Sequence, residues 1–89
     1  ASDRAQEAVA RIALDPNEDV DTRVKMFAAL AEAAKRRGNL LSPPLLQQVV
    51  TVAAGDPNMA LREAASAALG ALSVSGEPAS QIIRSQYQG

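Results

Sequence analysis

Two arginines, Arg23 and Arg62, are charged side chains that recur at matching places, 39 positions apart. A guanidinium is a planar fork of five donors, so each arginine could offer that fork to an acidic partner. Asp15, Asn17, Asp19 and Asp21 alternate oxygen-bearing side chains in the manner of a calcium loop. Such a loop needs glycine at its sixth position and a bidentate acid at its twelfth. Val20 and Met26 stand there instead. The carboxylates are therefore expected to cap helix ends and to complement a helix dipole, and no metal is expected. Lys35-Arg36-Arg37 is the densest basic run, but no aromatic residue lies beside it to stack a base, and three cations at a helix C-terminus already answer the dipole. Ser42, Ser66, Ser73 and Ser80 have no histidine to activate them, no Ser-x-x-Lys pattern occurs, and no glycine-rich loop is placed to cradle a phosphate. Neither a catalytic residue nor a cofactor is expected, so the chain reads as a non-enzyme.

The elements that must position these side chains are helices. Ser2 or Asp3 can cap a first one, with Ala5, Ala8, Val9, Ile12 and Ala13 at helical spacing on one face. Asp15-Pro16-Asn17 ends it. A second helix starts among Glu18, Asp19 and Asp21 and finishes at Lys35-Arg36-Arg37, with Gly38 as its stop. Ser42 is placed to cap a third over roughly Pro43 to Ala54, with Pro43 in the first turn and Leu41 able to staple onto Leu46. After Gly55-Asp56-Pro57-Asn58 a fourth carries Leu61, Ala64, Ala65, Ala68, Leu69 and Leu72 as its buried stripe. Glu77-Pro78 opens a short last helix with Ile82, Ile83 and Tyr87, which would cap the array or face a further unit. The valine-rich run from Leu45 to Val52 has apolar pairs separated by a polar pair, which suits a helix better than a strand.

Composition agrees. Of 89 residues 47% are hydrophobic, yet 19 are alanine and only one Phe and one Tyr are present, which favours helices that pack closely. His, Cys and Trp are absent, removing the usual zinc sites and disulfides. The net charge of -1 gives no field that would gather a nucleic-acid backbone or an acidic membrane, so nucleic acid is disfavoured as a partner. The absence of cysteine and of any apolar targeting or spanning run points to a cytoplasmic setting, and the start at Ala1 without Met suggests a segment of a longer protein.

Internal similarity is the strongest signal. Asp15-Pro16-Asn17 returns as Asp56-Pro57-Asn58 after 41 positions, while Arg23 and Leu30 return as Arg62 and Leu69 after 39, a two-residue insertion in the first turn separating the two registers. Val9 then lies over Val50 and Ala13 over Ala54. A unit of about 40 residues with two helices is the period of an α-solenoid. The run Asp56-Pro57-Asn58-Met59-Ala60-Leu61-Arg62-Glu63-Ala64-Ala65, continued by Ala68-Leu69-Gly70-Ala71-Leu72, resembles a HEAT repeat. The resemblance extends less fully to the first unit, where Met26 and Phe27 stand against Ala65 and Ser66, and Ala31 against Gly70.

What the resemblance implies is an all-α, right-handed superhelix of about two HEAT-like hairpins plus one terminal helix, with repeat one over about 2–38, repeat two over about 42–75 and a partial third at 77–88. It also implies that the turn Asp and the second-helix Arg bond across neighbouring units, and that the second helices line a concave face. A non-catalytic scaffold for another protein, or for another domain of the same chain, would use Arg23, Phe27, Arg62, Glu63 and Ser66 on that face. Phe27 has a second reading, because its helix is apolar on more than one side and a helix covered by neighbours puts such a residue in the core. The competing functions are an accessory module of an enzyme such as a helical-repeat lyase, a nucleic-acid binder of the same form, and a plain spacer.

Overall fold

The structure, a computed structural model, describes residues 2–74. The expected terminal helix, with Ile82, Ile83 and Tyr87, lies outside the described residues. Four helices follow one another: α1 (Ser2–Leu14), α2 (Val20–Arg37), α3 (Pro43–Gly55) and α4 (Met59–Val74). The described residues are all-helical apart from their connections, and no described helix is long and apolar enough to cross a membrane.

Local chemistry explains the boundaries. Asp19 caps α2 by accepting from the Thr22 amide at 3.0 Å, and the Lys35-Arg36-Arg37 end closes at Gly38, whose N–H reaches the Ala34 carbonyl at 2.8 Å. Gly38 has φ of 79°, a left-handed conformation that a side chain would strain. Ser42 occupies the N-cap of α3 in extended backbone, but its side chain makes no capping bond. The reason lies in the next two residues: Pro43 and Pro44 have no N–H, which removes one of the two amides a capping oxygen normally meets.

Each pair of consecutive helices across a tight turn is a hairpin, α1 with α2 and α3 with α4, and the hairpins meet mainly through α2 against α4, with a shorter contact of α1 with α3. Among the described residues α2 makes no close backbone approach to α3, nor α1 to α4. The arrangement is therefore one layer of α1 and α3 beside another of α2 and α4. The core between them comprises Ala10 and Ala13 of α1, Phe27, Leu30, Ala31 and Ala34 of α2, Leu41 and Leu45 with Val49 near and in α3, and Leu61, Ala65, Ala68 and Leu72 of α4. The α4 stripe is the expected one.

The face of α1 is not. Ala13 is buried and Val9 half-buried as expected, but Ala5, Ala8 and Ile12 are exposed, and Gln6 and Ala10 are buried in their place. Apolar spacing alone misplaced the stripe because its key member is polar. Gln6, only 2% exposed, donates from Nε2 to the Gly38 carbonyl at 3.1 Å and accepts the Leu40 amide on Oε1 at 2.8 Å. Both ends of its amide are thereby satisfied, which is what permits its burial. This clamp ties the start of α1 to the connection between the hairpins, and Ala10 and Ala13 then lie on the same buried side.

Burial also corrects the repeat register of the first helices. Gln6, Ala10 and Ala13 correspond to Leu45, Val49 and Val52, which are buried or half-buried, at a spacing of 39; Ala54, paired with Ala13 by the turn motif, is exposed. The burial of the first helices thus repeats every 39 residues, the spacing that also separates Arg23 from Arg62. The five-residue turn at 15–19 against three residues at 56–58 is offset by α3 running further past its buried face. We expect Gln6→Leu, which keeps the volume but strands the carbonyl and amide it held, to cost about 1–3 kcal/mol in urea unfolding; an unchanged midpoint would show that the clamp does not form.

Candidate interaction surface

The two arginines are built into the hairpin turns. Arg23 Nε donates to the Ala13 carbonyl at 2.8 Å, and Arg62 Nη1 to the Asp56 carbonyl at 3.0 Å. In each case the second helix reaches back to a carbonyl left free at or just past the end of the first, where helical pairing runs out. These bonds lie within a hairpin and go to carbonyl oxygens, so the expected bond between a turn Asp and an Arg across neighbouring units is replaced by a tie inside each unit. The turn carboxylates have other work. Asp15 accepts the Asn17 amide and Asp56 the Asn58 amide, both at 2.9 Å, closing the same Asx turn twice.

Helix starts are then capped differently. Asn58 accepts the Leu61 amide at 3.1 Å, so one residue serves both turn and cap. The longer first turn separates the two tasks, giving the cap to Asp19, which also accepts the Thr22 hydroxyl at 2.8 Å. The side-chain bond from Thr22, followed by the Thr22 backbone bond, holds the Asp19 carboxyl below its ordinary value. Asp15, Asp19 and Asp21 do not converge: among the described residues no group of three metal-ligating side chains gathers.

Of the five residues expected on the surface, the structure puts two inside. Phe27 is fully buried and Arg23 is 9% exposed. Phe27 belongs to the buried core, and Arg23 is drawn in by its carbonyl, so neither presents a side chain to a partner. Arg62 is half-buried along its bond to the turn, while Glu63 and Ser66 are exposed.

A face emerges when α4 is laid over α2 at 39 residues. Met59, Glu63, Ser66, Gly70 and Ser73 follow at steps of four and three along one side of α4, and all five are exposed. Their counterparts on α2 are Val20, Val24, Phe27, Ala31 and Ala34; beyond the exposed first residue, Val24 is half-buried and the other three are buried. The face that packing covers on α2 is therefore, at this spacing, the face that α4 leaves open. Met59, at 63%, is among the most exposed large apolar residues. The sequence carried this signal in its 39-residue period, but only the burial of α2 shows which face is meant.

On the outer side of α3 an open groove of ≈ 530 Å³ is lined by Gln47, Val50, Thr51 and Ala54, with the Asp56-Pro57 turn at one end. It brings together no pair of acid and base.

No protein-family model, no curated protein and no solved structure matches the chain.

What the open face does follows from its own chemistry: one acid, two hydroxyls, a glycine that lets a neighbour approach, and a methionine at the edge. The arginine ties give a direct check on the hairpins that support it. Replacing Arg23 by Met should cost about 1.5–3 kcal/mol, the range for a buried bond from a charged donor, and Arg62→Met about half as much because water reaches it. Thermal and urea unfolding of the two variants would measure this; equal, negligible losses would mean that the carbonyl ties do not support the turns.

Proposed function

We propose that the chain is a non-catalytic, HEAT-like stack of helical hairpins that binds another protein, or another domain of the same chain, through the surface of its second helices at α4. Arg62, Glu63 and Ser66 are the residues of that surface. The observation that carries the reading is the open face of α4, whose repeat counterpart on α2 is covered by packing. The places that α2 fills with Val24, Phe27, Ala31 and Ala34 hold Glu63, Ser66, Gly70 and Ser73 on α4, a more polar surface that stays exposed among the described residues. Support for the stack comes from the two-layer arrangement, the 39-residue period in the burial of the first helices, and the carbonyl tie repeated by Arg23 and Arg62.

The mixed character of the face suits recognition by complementarity rather than by long-range attraction, since one exposed acid among hydroxyls gives little steering. Arg62 belongs at its edge, with its guanidinium held by the turn and so already ordered for a second bond. Glu63→Arg tests the reading. Because Glu63 is exposed and makes no structural bond among the described residues, the melting temperature should stay the same while a partner retained by the wild type in a pull-down is lost by tenfold or more, as expected for about 1.4 kcal/mol of lost complementarity. Retention of the same partner at undiminished affinity by Glu63→Arg and by Ser66→Arg would remove this face from the function.

A further inference from the structure

The first hairpin is held by side-chain bonds at both of its ends. Arg23 reaches the Ala13 carbonyl where α1 passes into α2, and Gln6 holds Gly38 and Leu40 where α1 begins and α2 ends. Charge divides along the same line. Asp15, Glu18, Asp19 and Asp21 belong to the turn end, while Lys35, Arg36 and Arg37 immediately precede Gly38 and Arg4 lies two residues before Gln6. All four of these cations are exposed. With a rise of about 1.5 Å per helical residue, the Gln6 clamp brings the backbone of Arg4 to the end of the hairpin that carries the other three.

A helix dipole accounts for only part of this arrangement. Cations in the last turn of α2 face its negative end, which an ammonium or a guanidinium answers equally well. Arg4 stands in the first turn of α1, at the positive end, where the same effect disfavours a cation. Its placement runs against local stability. Three of the four cations are arginines, whose planar forks pair with a carboxylate at two points. Among the described side chains the acids of this half are Glu7 and Glu32, and each already meets a cation, Arg11 and Lys35 respectively, at 3.3 Å. The Lys35 pair is exposed on both sides, so it gives way readily to another acceptor. Arg4 and Arg36 make neither a hydrogen bond nor an ion pair among the described residues.

We propose that this end of the first hairpin binds a short acidic segment of another protein, whose consecutive Asp or Glu carboxylates bridge Arg4 on α1 and Lys35, Arg36 and Arg37 on α2. The surface is separate from the open face of α4, so the two readings stand or fall independently. Charge selects a short carboxylate segment over a phosphate backbone or a lipid surface. The cluster is confined to one end, the turn end carries acids, and the whole chain has a net charge of -1, so a long polyanion or an extended anionic surface meets repulsion beyond the cluster. No aromatic residue flanks the basic run to stack a base.

Fluorescence anisotropy of a dye-labelled octaglutamate peptide, titrated with the intact chain at low salt, tests the proposal against octaglutamine as control. Octaglutamate should bind and octaglutamine should not, and the affinity should fall as salt rises. Arg36→Glu should weaken binding by about tenfold or more and Arg4→Glu by about threefold or more, since each replaces an attraction by a repulsion at the site. Lys25→Glu makes the same change in net charge on an exposed side chain nearer the turn end of α2, and its affinity should stay within about twofold of the wild type. Circular dichroism verifies that all three variants fold. The Arg4 variant adds a second readout, because an acid in the first turn of α1 suits the dipole: its melting temperature should hold or rise while its affinity falls. A wild type that ignores octaglutamate would overturn the proposal, and so would an equal loss in Lys25→Glu, which reduces the effect to net charge. Tighter binding of a single-stranded oligonucleotide or of phosphatidylserine vesicles than of the peptide would overturn it in favour of a phosphate backbone or a lipid surface.

Discussion

Close contact between α2 and α4 is the constraint on which the rest of the structure depends. Alanines supply it from both sides, Ala31 and Ala34 on one helix and Ala65 and Ala68 on the other, all within the buried core. Small side chains let two helices approach closely, and the few large residues, Phe27, Leu30, Leu61 and Leu72, fill what remains. An alanine-rich chain buries little apolar area in any single pair of helices. Each hairpin therefore needs its neighbour, and the layer of α2 and α4 is where the two are joined.

Polar groups inside this framework act as ties. Arg23 and Arg62 fasten the second helix of each hairpin to the end of the first, and Gln6 fastens the first hairpin to the connection that leads into the second. Among the described residues no buried side-chain nitrogen or oxygen lacks a partner, so these ties place polar groups in the interior without leaving a desolvated atom unpaired. The same economy explains why two of the residues expected to face a partner are turned inward. Arg23 has a carbonyl to satisfy and Phe27 has the largest apolar surface in a core made mostly of alanine. Among the described residues, the equivalent positions on α4, Arg62 and Ser66, stay in contact with solvent.

Much of this was legible from residue order. Asp-Pro-Asn, Gly-Asn and Ser-Pro punctuate the chain so strongly that the four helices fall where their breakers place them, and the α4 stripe follows from leucine and alanine at helical spacing. The α1 face was not legible, because a rule that ranks residues by apolarity passes over Gln6, whose burial depends on two backbone groups more than thirty positions away. The register of the first helices failed for a related reason: a shared turn motif reports the local Asx geometry, whereas packing reports which side faces the core, and a longer turn in one hairpin separates the two. Ser42 stands at the expected N-cap, but its side chain makes no bond there, because the prolines that favour a helix start also remove an amide such a cap would bind. The open face of α4 required both kinds of information, the period from the sequence and the covered side of α2 from the fold.

The layered arrangement itself is most directly tested by nuclear Overhauser contacts in a methyl-labelled sample. The account predicts contacts between the methyl groups of α2 and those of α4, such as between the Ala31 and Ala34 set and the Ala65 and Ala68 set, with few between α1 and α4. A network joining α1 to α4 and α2 to α3, as in an up-and-down four-helix bundle, would contradict it.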